Sequence, residues 1–139
     1  MIFYFEIPGE PKGKGRPRFT RNGRTYTPEQ TAVYENLVKV MFMQAYPSYE
    51  PIPKDTPLTA RLTAFFPIPQ SAGKKKSADM ESGSIRPTKK PDTDNIAKIV
   101  LDALNGLAYH DDSQVVDLTV IKTYSREPRV EVEICDPNR

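Results

Sequence analysis

Cysteine and histidine are nearly missing from this chain, and their scarcity removes several chemistries at once. The single Cys135 cannot close an internal disulfide, and with one histidine there is no Cys/His cluster to build a zinc site. Nothing nearby in sequence would activate the Cys135 thiol, so it reads as a packing residue in a reducing, cytoplasmic setting. No apolar run approaches the ~18 to 20 residues of a membrane span, and Met1 to Ile7 has neither a basic lead nor the apolar length of a signal peptide. No internal repeat is present. Charge of one sign is not in excess either, the formal net charge being +2.

What the chain does have is patterning. Its 139 residues suffice for one domain with a modest core, and seven Tyr and six Phe argue against global disorder although 27% of residues are charged. Fourteen prolines, about twice the usual share of ~5%, mark joints between elements. The modest net charge conceals a strong local one. Lys12, Lys14, Arg16, Arg18, Arg21 and Arg24 fall within residues 12–24 with no acid among them, a positive surface suited to a polyanion.

Ile2 to Ile7 is a short aromatic and β-branched run stopped by Pro8-Gly9, which predicts a first strand. Thr27-Pro28 supplies an N-cap followed by proline at the first helical position. From there Val33, Leu37, Val40, Met41 and Ala45 recur at helical spacing until Pro47, and an amphipathic helix is expected. After a proline-rich connector, residues 58–66 alternate as a strand does. Gln70 to Lys90 is rich in Ser, Gly and Lys with almost no large apolar residue, and a flexible flap is expected at 70–90. Asp92 to Leu107 predicts a second helix, and 115–124 and 129–135 predict two strands joined by a turn at Arg126-Glu-Pro128. The order β-α-β-α-β-β points to a single α/β or α+β domain over 1–139, with a mixed sheet and two main helices.

The most informative stretch is Lys90-Pro-Asp92-Thr-Asp94-Asn-Ile-Ala-Lys98, followed by Asp102-Ala-Leu-Asn105-Gly106 and by Asp111-Asp112-Ser-Gln114. At ~100° per residue, Ile96, Val100, Ala103, Leu104 and Leu107 share one helix face, while Asp94, Lys98 and Asp102 run along the opposite one. Pro91 favours extended backbone just ahead of Asp92, so the carboxylates of Asp92 and Asp94 can point the same way. Gly106 can stop the helix, and the short return through Tyr109-His110 could bring Asp111-Asp112 back beside them. Hard carboxylate oxygens in such a group suit Mg²⁺ and phosphodiester hydrolysis, with Lys98 placed to hold a phosphate. Taken singly, each residue has a plainer reading. A carboxylate opening a helix is ordinarily an N-cap or a dipole partner, and Lys98 with Asp102 an ordinary i,i+4 surface pair. A calcium hand is excluded, because Ile96 and Ala97 stand where such a loop needs an acidic or amide residue and then glycine.

The string Lys-Pro-Asp-x-Asp-Asn-Ile-x-Lys, then Asp-Ala-Leu-Asn-Gly, then Asp-Asp-x-Gln-Val and a later Lys122, resembles the signature of the RusA-type Holliday junction resolvases. The resemblance covers residues 90–122 and extends more weakly to Lys12-Gly-Lys-Gly-Arg-Pro-Arg18. It implies a homodimeric endonuclease, bacterial or phage-encoded, that uses Mg²⁺ (with Mn²⁺ as a substitute) and makes paired symmetric nicks across a four-way DNA junction. It carries metal binding onto Asp92, Asp94 and Asp112 and the essential lysine onto Lys98. Asp111 and Asp112 could exchange roles. The segment 70–90 is longer than the family pattern.

Glycines 13 and 15 let the backbone of the basic loop approach a ligand, so Lys12, Lys14, Arg16, Arg18 and Arg21 could follow phosphates, and Phe19 or Tyr26 could stack on an unpaired base. Lys74, Lys75, Lys76, Lys89 and Lys90 add sequence-independent attraction. A solvated basic loop without a specific partner is the plainer alternative, as is a surface role for His110. Two other functions fit the same residues: a non-catalytic DNA-binding recombination accessory protein, and a metal nuclease acting on other branched DNA or on RNA.

Overall fold

Side chains alternate between buried and exposed along Phe3–Pro8, the habit of a strand with one covered face, and this is β1. The computed structural model describes residues 2–15, 18–19, 21, 23, 25–26 and 29–138, and at 18, 19, 25 and 26 it describes the backbone only. Within the basic segment, β2 (Arg18–Phe19) and β3 (Thr25–Tyr26) form a minimal antiparallel pair. There follow α1 (Glu29–Ala45), β4 (Leu58–Pro67), α2 (Lys74–Ser82), α3 (Thr93–Ala103), one turn of 3-10 helix (Asp112–Gln114), β5 (Val115–Ser125) and β6 (Arg129–Cys135). The N-cap expected at Thr27-Pro28 lies outside the described residues.

The α+β class and the mixed sheet are as the sequence implies. Strand order is β1-β6-β4-β5, with β4 antiparallel to β6 and parallel to β5. A parallel neighbour cannot be reached by a tight turn, so the chain leaves β4 and returns to β5 through α2 and α3. The return sets the site, because α3 is laid beside β5 with its first turn and its last turn at opposite ends of the same crossover.

The core lies between one face of the sheet and helices α1 and α3. Phe3, Phe5 and Ile7 of β1, Leu58, Leu62 and Phe66 of β4, and Val130, Val132 and Ile134 of β6 are buried there. Helix α3 is covered by α1 on one side and the sheet on the other. It therefore buries Ala97, Ile99 and Leu101 as well as the expected Ile96, Val100 and Ala103. For α1 the expected stripe is displaced. Thr31, Tyr34, Val38 and Phe42 are the buried residues, Leu37 and Met41 only partly so, and Val33 is 64% exposed. The aromatic rings decide this, since Phe42 packs edge-on to Phe3 and Phe5 with centroids 5.1 and 5.6 Å away, an area of burial that valines cannot match.

The segment 70–90, expected as a flexible flap, carries a helix. Lys74–Ser82 is helical, opened by Gly73 and closed by Gly83 at φ +91°, the left-handed conformation that glycine adopts without strain. One apolar residue, Met80, is buried and anchors it. Beyond the helix, the Arg86 guanidinium donates to the Lys122 carbonyl of β5 at 2.7 Å, and Arg126 pairs with Glu81 at 3.3 Å. Composition alone reads such a lysine-rich stretch as solvated, whereas the buried methionine, the glycine at each end and these two contacts together seat it on the fold.

Candidate active site

Two segments separated by some eighty residues of chain meet at one cavity of about 700 Å³. Lys12, Gly13 and Lys14 of the basic loop form one side, Lys90, Pro91, Asp92 and Asn95 the other, and Phe66 of β4 part of the wall. Close packing joins the two sides. A β-carbon on Gly13 would stand 2.8 Å from the Pro91 Cβ and 3.1 Å from that of Asn95, so only glycine fits. The Lys14 amide donates to the Asn95 carbonyl at 3.0 Å and the Gly15 amide to the Thr31 hydroxyl at 2.9 Å. The loop is thereby tied to α3 and α1 in turn.

Asp92 occupies the N-cap position of α3 in extended backbone, and its carbonyl accepts the Ile96 amide at 3.0 Å. Its carboxylate makes no capping hydrogen bond. An N-cap aspartate ordinarily uses that oxygen on the helix amides, so here the negative charge is left facing the cavity. Asp94 and Lys98 follow on the exposed side of α3. Lys89 and Lys122 flank the same wall, with ammonium groups 6.0 and 5.1 Å from the Phe66 ring centroid, and Lys122 donates to the Lys89 carbonyl at 2.5 Å.

At the far end of α3 a second acidic group forms. Gly106, at φ +75°, turns the chain back, and its amide bonds the Tyr109 carbonyl at 2.8 Å. The Tyr109 ring is fully buried and its hydroxyl donates to the Leu101 carbonyl at 2.6 Å. Burial, and then the charges of Asp112, Asp102 and Asp111, push that phenol far above its ordinary value, so it stays protonated. Asn105 accepts the Asp112 amide at 2.8 Å, and the carboxyl groups of Asp102 and Asp112 lie within hydrogen-bonding reach of each other. Adjacent Asp111 does a different job. Its exposed carboxylate accepts the Ser113 amide at 3.0 Å and caps the 3-10 turn, and the Ser113 hydroxyl first, then that amide, hold it below the usual carboxylate range.

Asp112 is pushed above its ordinary 3.8 by burial first, then by the hydrogen bond and charge of Asp102 and by the charge of Asp111. Its ionisation therefore opposes folding. Stability is fully present below the ordinary value and is lost as pH rises through the raised one. An Asp112→Asn protein is accordingly expected to melt above the wild type at pH 7 in the presence of a chelator, with the gap closing near pH ~3 where both side chains are neutral. Calorimetric scans at the two pH values check this, and equal melting at pH 7 contradicts it.

The donors at these positions are hard carboxylate oxygens, the right chemistry for Mg²⁺. Their placement does not fit a three-carboxylate site. Among the described residues no three Asp, Glu, His or Cys side chains form a group that could hold a metal ion. Asp94 and Asp102 are separated by eight residues of α3, roughly 12 Å at ~1.5 Å per residue, and Asp112 docks at the Asp102 end. Asp92 and Asp112 thus mark opposite ends of one helix instead of one point.

Of the expected DNA-contacting residues, Lys12, Arg21, Lys89 and Lys90 are exposed. Arg16, Arg24 and the side chains of Arg18, Phe19 and Tyr26 lie outside the described residues. Lys14 points inward. Its ammonium is 2.8 Å from Glu35 Oε2 and 3.4 Å from Asp102 Oδ2. Burial alone would lower the Lys14 value, and the two carboxylates outweigh that and raise it. His110 is an exposed loop residue whose amide donates to Gln114, and Cys135 is unpaired on β6.

Three residues at the site carry roles that patterning did not assign: Glu35, Asp102 and Gln114. Asp102 reads as a surface partner of Lys98, and Glu35 carries no signal. Gln114 does have one, since Asp111-x-x-Gln114 is the spacing of a capping box. The described residues include no helix long and apolar enough to cross a membrane.

The family model described as endodeoxyribonuclease RusA matches residues 8–135 of the chain. The chain is also similar to a protein of Bacillus subtilis (strain 168) carrying the name Uncharacterized protein YqaN. The two are 45% identical over 135 residues, which cover 94% of this chain and 93% of that one.

Proposed function

Because this chain belongs to the RusA endodeoxyribonuclease family, we propose that it is a structure-selective endonuclease that resolves four-way DNA junctions by paired symmetric nicks. The observation that carries the reading is the cavity in which an uncapped Asp92 carboxylate faces Lys12 and Lys90 from separate segments. Lysines on two sides suit a phosphate backbone entering between them, and the carboxylate stands where the phosphate would come to rest.

Asp92, Asp94 and Lys98 at the head of α3, and Asp112 beside Asp102 at its far end, are the residues proposed to take part in cleavage, without one ion shared by all three carboxylates. Mg²⁺, or Mn²⁺ in its place, belongs to the proposal on donor chemistry alone: the Asp92 and Asp94 carboxylates would hold it, and the chemistry it would supply is polarisation of the phosphodiester and a lowered pKa for an attacking water. Lys98 would neutralise charge on the phosphate, and Lys12, Arg21, Lys89 and Lys90 would hold the duplex arms. A homodimer is proposed on symmetry, since two copies about a two-fold axis present two such centres to a junction of the same symmetry. Its substrate would be DNA inside the cell.

The test is digestion of a labelled synthetic junction beside duplex, fork and RNA substrates, with Mg²⁺ and with chelator. Paired nicks in the junction that need Mg²⁺ are expected. A non-catalytic DNA-binding role is the second reading, favoured by the lack of a three-donor group among the described residues. It predicts junction binding without scission at every Mg²⁺ concentration.

A further inference from the structure

We propose that Lys14 is a positioning residue that holds Asp102, and through it Asp112, in place while tying the basic loop to α1 and α3. The inference rests on the nuclease reading for its consequence and on geometry for its content. Lys14 belongs to a stretch whose charges are expected to face DNA, yet its ammonium lies between Glu35 Oε2 at 2.8 Å and Asp102 Oδ2 at 3.4 Å, with its side chain only 23% exposed.

The surroundings explain why the contact is held. Lys14 is fixed by its own amide on the Asn95 carbonyl, and its neighbours Gly13 and Gly15 are fixed by contact with Pro91 and by the Thr31 hydroxyl. Its backbone therefore stays put, so the ammonium can bridge a carboxylate of α1 and one of α3. Without it, Glu35 and Asp102 would face each other with no cation between them, and like charges so placed move apart. Asp102 would then lose its place, and Asp112, whose carboxyl is within hydrogen-bonding reach of it, would follow. A displacement of about 1 Å at a reacting group can cost on the order of 100-fold in rate.

The experiment compares Lys14→Met, Lys14→Arg and Glu35→Gln with the wild type in two measurements. The first is amide hydrogen exchange at Asp112 and Ser113 in the free protein, without DNA or metal. Lys14→Met is expected to speed it by about five-fold or more, and Lys14→Arg, whose guanidinium can bridge two carboxylates, to restore it. The second is junction cleavage, where Lys14→Met is expected to lower kcat by about ten-fold or more with KM changed less than about three-fold, again with rescue by arginine. Glu35→Gln should move both measurements in the same direction by less, which keeps the test open if Lys14→Met fails to fold.

Unchanged exchange in Lys14→Met and Glu35→Gln, or a loss in KM with kcat intact, overturns the positioning role, the latter because it is what a simple phosphate contact gives. A wild type that never cuts, with exchange shifted as described, sinks the nuclease reading and leaves the positioning role standing.

Discussion

Asp92→Asn and Asp94→Asn proteins are expected to bind a four-way junction as tightly as the parent chain and to cut it about 100-fold to 1000-fold more slowly. Each change keeps shape and removes one negative charge. The fold has little reason to notice. Both residues are exposed, and the Asp92 side chain makes no capping bond that asparagine could fail to replace. Stability should therefore stay within about 0.5 kcal/mol, the ordinary range for surface substitutions. Loss of repulsion toward phosphate would hold binding level or improve it slightly. Cleavage and gel-shift assays on the same preparations separate the two effects, and wild-type cutting by either protein would remove that carboxylate from the reaction centre.

Gln114→Ala carries the largest expected cost to the fold itself. This side chain is buried, accepts the amides of His110 at 2.9 Å and Asp111 at 3.1 Å, and donates to the carbonyls of Pro53 at 2.9 Å and Thr56 at 3.0 Å. It ties the acidic turn to the connector ahead of β4, beside the backbone bond from the Ile52 amide to the Ala108 carbonyl at 2.9 Å. Truncation leaves those groups without partners, at about 1 to 3 kcal/mol for each that water cannot reach, so a loss of roughly 3 kcal/mol or more is expected, seen as a melting temperature lower by roughly 10 °C. Gln114→Glu isolates the cause. It keeps the two accepted bonds, loses the two donated ones and sets a carboxylate against two carbonyls, so it should be destabilised comparably at pH 7. Denaturant titration of both variants checks this, and midpoints matching the wild type in both would show that the amide network does not hold the turn.

The two variants probe parts of the site that differed in how far the sequence revealed them. Asp92 and Asp94 stand out at once, because carboxylates two apart after Lys-Pro at the head of an amphipathic helix form an unusual local string. Gln114 is detectable only as half of a capping box, and its bonds to Pro53 and Thr56 join positions some sixty residues apart. Glu35 gave no signal at all. Its role exists only because α1 and α3 are packed side by side with Lys14 between them.

The same division runs through the fold. Period-two and period-3.6 patterning placed β1, α1, β4, α3, β5 and β6 to within a few residues, since each is decided by its own apolar spacing and by the Pro and Gly that end it. It does not reveal which stripe of α1 is buried or that 74–82 is helical, since both depend on a surface contributed by other elements: the rings of Phe3 and Phe5 for α1, and β5 for α2.

By itself, then, the amino-acid order determined which segments become strands and helices, where the acidic and basic stretches lie, and which family they resemble, because those are matters of local spacing. Tertiary structure alone decided that β4 and β5 lie parallel, that the basic loop closes against Pro91 and Asn95, and that Asp112 meets Asp102 instead of Asp92. The physical reason is common to all three. Such contacts join residues distant along the chain, and they form only where packing of the core brings the surfaces together and offsets the entropy of closing the loops between them.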